Sequence, residues 1–161
     1  MKKPDIEIIY IDMDGVLANF RDMYIKEFGE DPEAVKNVRH WVEFVKRKCF
    51  AKLDMMKGAK AGIKFLKKSN IHVKILSSTG NKKKPDDNEV ENQKKEWLEN
   101  HDIDWPTIFV PGRHLKIDYA DKNAILIDDN QDTIEEWIKA GGVGIYHTDW
   151  ITTETILRLY I

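Results

Sequence analysis

One cysteine, five prolines and no apolar run of bilayer-spanning length are what this chain of 161 residues has least of, and each scarcity excludes something. Cys49 alone cannot form an internal disulfide, which points to a reducing, cytoplasmic setting. It sits in a lysine-rich, helical-looking stretch with no recognisable histidine partner motif, so a nucleophilic role is not expected of it. The first five residues lead straight into an apolar strand with no signal-type segment before it, so no export and no membrane association are expected. Neither sign of charge dominates: 26 basic side chains face 28 acidic ones, for a net charge of −2, which argues against a dedicated nucleic-acid-binding surface. Lysines do gather at Lys46-Arg47-Lys48, Lys67-Lys68 and Lys82-Lys83-Lys84. Such runs read first as solvated surface and second as a means of steering an anionic substrate. The five histidines, at 40, 72, 101, 114 and 147, show no metal-ligand spacing.

What the chain does have is a globular composition, 42% hydrophobic and 34% charged, at the size of one ordinary domain. Near its start, Ile8-Ile9-Tyr10-Ile11 ends abruptly in Asp12-Met13-Asp14-Gly15. An apolar run of that length reads as a strand buried on both faces, as in parallel sheets covered by helices. Two carboxylates at its end suit a hard cation such as magnesium, with a phosphate held beside it. Four more segments are strand-like: Ile71-His72-Val73-Lys74-Ile75-Leu76, Thr107-Ile108-Phe109-Val110, Ala124-Ile125-Leu126-Ile127 and Val143-Gly144-Ile145-Tyr146.

Helical periodicity fills the gaps, in Ala59, Ile63 and Leu66, in Val90, Trp97 and Leu98, and in Ile134, Trp137 and Ile138. Gly141-Gly142 reads as a helix stop, and residues 152–161 as a short terminal helix. Strand alternating with helix predicts an α/β fold, a doubly wound, Rossmann-like, five-stranded parallel sheet. The interval from Ala18 to Asn70 is too long for a single crossover helix. Gly29 and Pro32 break it, and Phe20, Tyr24, Phe28, Trp41, Phe44 and Phe50 crowd it. It predicts a small helical cap over about residues 18–57, inserted after the first strand, with the core formed by 1–17 and 58–161 in one domain. The polar stretch 80–88 reads as an exposed loop over the carboxyl edge of the sheet.

Three strand ends carry reactive side chains. The first ends in Asp12 and Asp14, the second in Ser77-Ser78-Thr79-Gly80, and the fourth in Asp128-Asp129. In a parallel sheet these ends meet along one edge. Adjacent carboxylates there repel each other unless a cation or donor lies between them, so Asp128 and Asp129 join Asp12 and Asp14 as candidate metal ligands. The insertion's aromatics could pack a small core of their own or stack on a nucleobase. Trp41 and Phe44, three apart on one helical face, are candidates for the second use.

Asp12-Met13-Asp14-Gly15-Val16-Leu17-Ala18-Asn19-Phe20 together with Leu126-Ile127-Asp128-Asp129 resembles the haloacid dehalogenase (HAD) superfamily of phosphatases, and within it the deoxy-type 5′-nucleotidases. The resemblance spans nearly the whole chain. It implies that Asp12 is a nucleophile forming an aspartyl-phosphate, and that Asp14 is the general acid and then base, its main-chain carbonyl also ligating magnesium. It further implies that Ser77 holds a phosphate oxygen, that Ser78 contacts substrate, that Phe20 is a pocket residue and that Asp129 leans toward direct contact with the metal. For the superfamily's lysine there are two candidates, Lys116 and Lys122, twelve and six residues before Asp128, of which Lys116 is favoured. The implied activity is magnesium-dependent hydrolysis of a small phosphomonoester, a (deoxy)nucleoside 5′-monophosphate first. The alternatives are another phosphate ester, a nucleic-acid 3′-phosphate, or a silent relative that only binds a ligand or partner. A receiver-type phosphoacceptor would carry its aspartate at a central strand end where this chain has Ser77, and would have no insertion.

Overall fold

Every apolar segment expected to be a strand takes its place in one sheet. In the computed structural model, which describes residues 2–34, 36–80 and 88–161, the strands are β1 (Ile8–Ile11), β2 (His72–Ser78), β3 (Thr107–Val110), β4 (Ala124–Asp128) and β5 (Val143–Tyr146). They pair in parallel in the order β3-β2-β1-β4-β5. The chain thus builds outward from β1 through β2 to β3 and then returns to β4 on the other side of β1. The connections after β1 and β4 diverge, and the crevice between them is where a doubly wound sheet accepts a ligand.

Alternation along the strands feeds two apolar layers. Ile9, Ile11, Ile75, Ile125 and Ile127 belong to one, Tyr10, Leu76 and Leu126 to the other. All are buried, and each fully buried isoleucine contributes about 1.5–3 kcal/mol. α5 (Gln131–Lys139) covers the second layer with Ile134 and Trp137. Against the first pack α3 (Ala59–Lys68) through Ile63 and Leu66, α4 (Glu89–Asn100) through Val90, Trp97 and Leu98, and α6 (Trp150–Leu157) through Trp150.

Between β1 and α3 the chain forms α1 (Phe20–Phe28), α2 (Val38–Lys46) and a 3-10 turn at Cys49–Lys52. Asn19 caps α1 by accepting from the Asp22 amide, and Asn37 caps α2 by accepting from the Arg39 and His40 amides. Gly29, at φ +69°, closes α1 in the left-handed conformation that favours glycine. Phe20 stacks on Phe50 with ring centres 5.6 Å apart, and Phe44 meets both rings edge-on. This aromatic group is continuous with the apolar layer that includes Ile9 and Ile11. Cys49 is buried here, and burial pushes its thiol up, away from the reactive thiolate.

Several boundaries differ from expectation: β2 starts at His72, β4 ends at Asp128 and the last helix ends at Leu157, and two further shifts have a visible cause. β2 runs on to Ser78 because Ser77 and Ser78 continue the ladder opposite Phe109 and Val110. The last helix starts at Trp150 rather than Thr152, because Asp149 caps it by accepting from the Thr152 amide at 2.8 Å and Trp150 is drawn into the core. The Lys82-Lys83-Lys84-Pro85-Asp86-Asp87 stretch expected as a loop lies outside the described residues.

Trp150 also steadies the turn after β1. Its indole Nε1 donates to the Val16 carbonyl at 2.8 Å, and its ring lies so close to α3 that a Cβ on Gly62 would sit 2.1 Å from ring atom Cε3. Gly62→Ala gains about 1 kcal/mol of helix propensity but overpacks a pinned ring at about 1–3 kcal/mol. The variant is expected to be the less stable protein, with a lower urea midpoint and an unchanged m-value.

Candidate active site

Register brings the reactive strand ends level. Ile11 pairs with Ile75 on one side and Ile127 on the other, so the next residues, Asp12 and Asp128, emerge side by side at the carboxyl edge. The Asp12 amide donates to the Ile127 carbonyl at 3.0 Å, which extends the ladder by one bond and holds that carboxylate at the crevice. Beyond it the chain turns sharply: the Val16, Leu17 and Ala18 amides all donate to the Met13 carbonyl, and the Gly15 amide donates to that of Ala18. Gly15 has φ +80°, and a Cβ there would lie 1.9 Å from Asp129 Oδ2, so only glycine lets the β1 turn and the Asp129 carboxyl share this space.

Asp12, Asp128 and Asp129 each bring a carboxylate oxygen into a group whose members lie within 4.8 Å of one another. Lys116, carried by a 3-10 segment at Arg113–Tyr119, reaches into the group with its ammonium 2.9 Å from Asp12 Oδ1 and 2.7 Å from Asp128 Oδ2. Lys116 is 2% exposed. Burial alone would lower its pKa, but the two carboxylates outweigh burial and hold the ammonium above its usual range. Lys122, the other candidate, is exposed on the turn before β4.

The acidic pair divides its work. Asp128 gives Oδ2 to Lys116 and Oδ1 to the Asn130 amide at 2.9 Å. Asp129 accepts no hydrogen bond among the described residues. The residue as a whole is exposed, but desolvation of its carboxyl end against the β1 turn, followed by the charges of Asp12, Asp128 and Asp14, pushes its pKa up to about 8. Burial and the Asp12 charge likewise raise Asp128, against the pull of Lys116. The donor set consists of hard carboxylate oxygens, one member of which is held ionised only at a cost. It fits a hard divalent cation.

Asp14 turns away from this triad toward a residue that the sequence reading missed. Lys94, on α4 and 1% exposed, places its ammonium 2.8 Å from Asp14 Oδ2, 2.9 Å from Ser77 Oγ and 2.8 Å from the Ser78 carbonyl. Asp14 Oδ1 is enclosed and has no hydrogen-bond partner among the described residues. Ser77 is fully buried, and Ser78 Oγ accepts from the Gly80 amide at 3.2 Å. In sequence Lys94 is one of two adjacent lysines in a highly charged segment. Its only signal is its place four residues after Val90 and three before Trp97, on the apolar face of α4.

The insertion's candidates separate. Phe20 and Trp41, both half-buried, line a cavity of about 260 Å³ together with Tyr24, Pro32, Lys36 and Asn37. Trp41 also rests on the end of β2, its Cζ2 atom 3.3 Å from where a Gly80 Cβ would be. Phe44 has no exposed surface and packs between Phe20, Tyr24 and Phe50, so it fills the aromatic core and offers nothing to a ligand.

No family model matches this chain, and no curated protein matches it in sequence. Solved structures do match its fold. A hydrolase from Streptococcus pneumoniae TIGR4 aligns over 96% of this chain and 99% of its own length, with a TM-score of 0.60 at 13% identity. A HAD-superfamily hydrolase from Ehrlichia chaffeensis aligns over 99% and 98%, with a TM-score of 0.55 at 15% identity. D,D-heptose 1,7-bisphosphate phosphatase from Burkholderia thailandensis aligns over 84% and 74%, with a TM-score of 0.52 at 10% identity. The chain therefore has the Rossmann-like α/β fold of these hydrolases, with a cluster of acidic residues at its carboxyl edge. Among the described residues, no helix is long and apolar enough to cross a membrane.

The raised Asp129 pKa has a stability consequence. Its folded value lies above the ordinary carboxylate range, so the fold penalises the ionised form. The penalty is absent below the ordinary carboxylate pKa and develops as pH rises toward about 8. In metal-free buffer Asp129→Asn is expected to melt above the wild-type protein at pH 8 and level with it at pH 4. The rise in melting temperature that a divalent cation gives the wild type should be absent from the variant.

Proposed function

We propose that this protein is a magnesium-dependent phosphomonoesterase of the HAD type that works through an aspartyl-phosphate. The observation that carries the proposal is the charge arrangement at the crevice between β1 and β4. Four carboxylates, Asp12, Asp14, Asp128 and Asp129, face two buried ammonium groups, Lys94 and Lys116. With all six ionised, two negative charges are left uncompensated, which a divalent cation balances.

Asp12 and Asp129 would hold the ion with their carboxylates and Asp14 with its main-chain carbonyl, while the Asp128 carboxylate would add its charge beside them. Asp129 would be the direct acidic ligand of the pair, because both Asp128 oxygens already have donors. Bound there, magnesium would offset charge on the phosphate oxygens and orient the ester for in-line displacement.

The residues of the chain then divide two displacements between them. An Asp12 carboxylate oxygen attacks phosphorus, and the bond from phosphorus to the leaving oxygen breaks. That oxygen keeps the electron pair and takes a proton from the Asp14 carboxyl. In the second half, water attacks phosphorus and gives its proton to Asp14. The bond from phosphorus to Asp12 breaks, which restores the Asp12 carboxylate and releases inorganic phosphate. Lys116 offsets charge on Asp12 and the phosphoryl group throughout. Ser77 donates its hydroxyl hydrogen to a phosphoryl oxygen.

For the substrate we propose a (deoxy)nucleoside 5′-monophosphate in a cytoplasmic setting. The helical insertion would act as the substrate-selecting cap, with Phe20 and Trp41 offering ring faces in a cavity beside the end of β2. Ser78 lies at that same strand end, between phosphate site and cap, and would contact the rest of the substrate.

The test is a panel of nucleoside 5′- and 3′-monophosphates, non-nucleotide alkyl phosphates and p-nitrophenyl phosphate, assayed for phosphate release with and without magnesium. Turnover should require the metal and favour 5′-nucleotides. A response no better for nucleotides than for simple esters removes the nucleotide assignment. Asp12→Asn is expected to lose at least about 10³-fold in kcat with its melting temperature nearly unchanged. Undiminished turnover in that variant overturns the covalent mechanism.

A further inference from the structure

A lysine ammonium has three N–H donors, and Lys94 spends each on a different acceptor: Asp14 Oδ2, Ser77 Oγ and the Ser78 carbonyl. At 1% exposure it exchanges nothing with solvent and has no donor left for a ligand. What it does to its partners is specific. Ser77 Oγ accepts from it, so the hydroxyl hydrogen of Ser77 remains to be donated elsewhere. Asp14 is gripped by Oδ2 only, and its Oδ1 is enclosed and without a partner among the described residues, so Lys94 alone among them orients this carboxyl by a hydrogen bond.

The grip is itself braced. The ammonium lies 5.2 Å from the centre of the Phe50 ring. On the preceding residue, Gln93 Oε1 accepts from the Phe50 amide, and Gln93 Nε2 donates to the Val45 carbonyl. A single turn of α4 thus holds the insertion with one side chain and the β1 and β2 ends with the next.

From this we infer that Lys94 is a positioning residue. It holds the Asp14 carboxyl in the orientation from which it serves the leaving group, and it aims the Ser77 hydroxyl at the phosphoryl oxygens. The inference rests on the phosphomonoesterase reading above. Lys94 keeps all three of its protons throughout. In the first displacement the P–O bond breaks, its electron pair goes to the leaving oxygen, and the proton that joins that oxygen comes from the Asp14 carboxyl, as in the mechanism above.

Proton donation matters for a poor leaving group and hardly at all for a good one, so the test compares two esters. kcat/KM, which reports the steps up to departure of the leaving group, is measured in magnesium for the best alkyl phosphate of the panel and for p-nitrophenyl phosphate. The proteins are wild type, Lys94→Met and Lys94→Gln. Lys94→Met is expected to lose about 10²–10³-fold on the alkyl ester and about tenfold or less on the aryl ester. Lys94→Gln keeps two N–H donors without the charge, and should fall between wild type and Lys94→Met with the same preference for the aryl ester. If Lys94→Met does not fold, as judged by its melting curve, the ratio of losses in Lys94→Gln decides. Equal losses on both esters overturn the positioning role and leave the phosphomonoesterase reading intact. A wild-type protein inert toward both esters overturns that reading, and the role of Lys94 with it.

Discussion

Mutual repulsion of carboxylates at one sheet edge is the constraint to which the rest of this structure answers. Asp12 and Asp128 are level because the ladder makes them so, the turn after β1 adds Asp14, and the end of β4 adds the neighbour of Asp128 to the same crevice. Left alone, such a cluster would open the sheet or take up protons. Lys116 answers the Asp12–Asp128 side and Lys94 the Asp14 side. Asp129 is the one carboxylate without a lysine partner, and desolvation followed by the charges of Asp12, Asp128 and Asp14 raises its pKa. Buried ion pairs contribute little net stability, since desolvation cancels much of their attraction, whereas removing one partner leaves a costly bare charge. The two lysines are therefore better understood as fixing geometry than as holding the fold together. That task falls to the apolar layers on either side of the sheet.

The helical insertion depends on the same helix that serves the site. Phe20, Phe44 and Phe50 form its centre, and that centre merges with the sheet's own core. α4 secures it by side chain to backbone: Gln93 to Phe50 and Val45, and the Trp97 indole to the Leu53 carbonyl at 2.7 Å. With Lys94 between those residues, any shift of α4 moves the insertion and the Asp14 side chain together. The coupling is direct contact through one rigid element.

Much of the site was legible because it is local. Each reactive group on β1, β2 and β4 ends its own apolar run, so one short stretch of sequence shows both the strand and what it delivers. The parallel sheet then leaves little freedom in where those ends meet. Lys116 was legible only as one of two candidates. The sequence spacing to Asp128 does not state which lysine a 3-10 segment folds inward, and the structure buries Lys116 and exposes Lys122. Phe44 was legible only as having one of two uses, for a related reason. Its helical face was right, but a face can point to a core or to a ligand, and the ring is sealed among its neighbours.

By itself, then, the amino-acid sequence determined the strands, the side chains at their ends and the α/β class, because apolar period and strand termination are properties of a few consecutive residues. Only the tertiary structure decided how the charges pair. Asp14 and Lys94 are 80 positions apart, and nothing near either one announces the other. Their meeting depends on α4 packing over the end of β2 beneath the insertion, where a buried ammonium has no alternative to the acceptors that surround it.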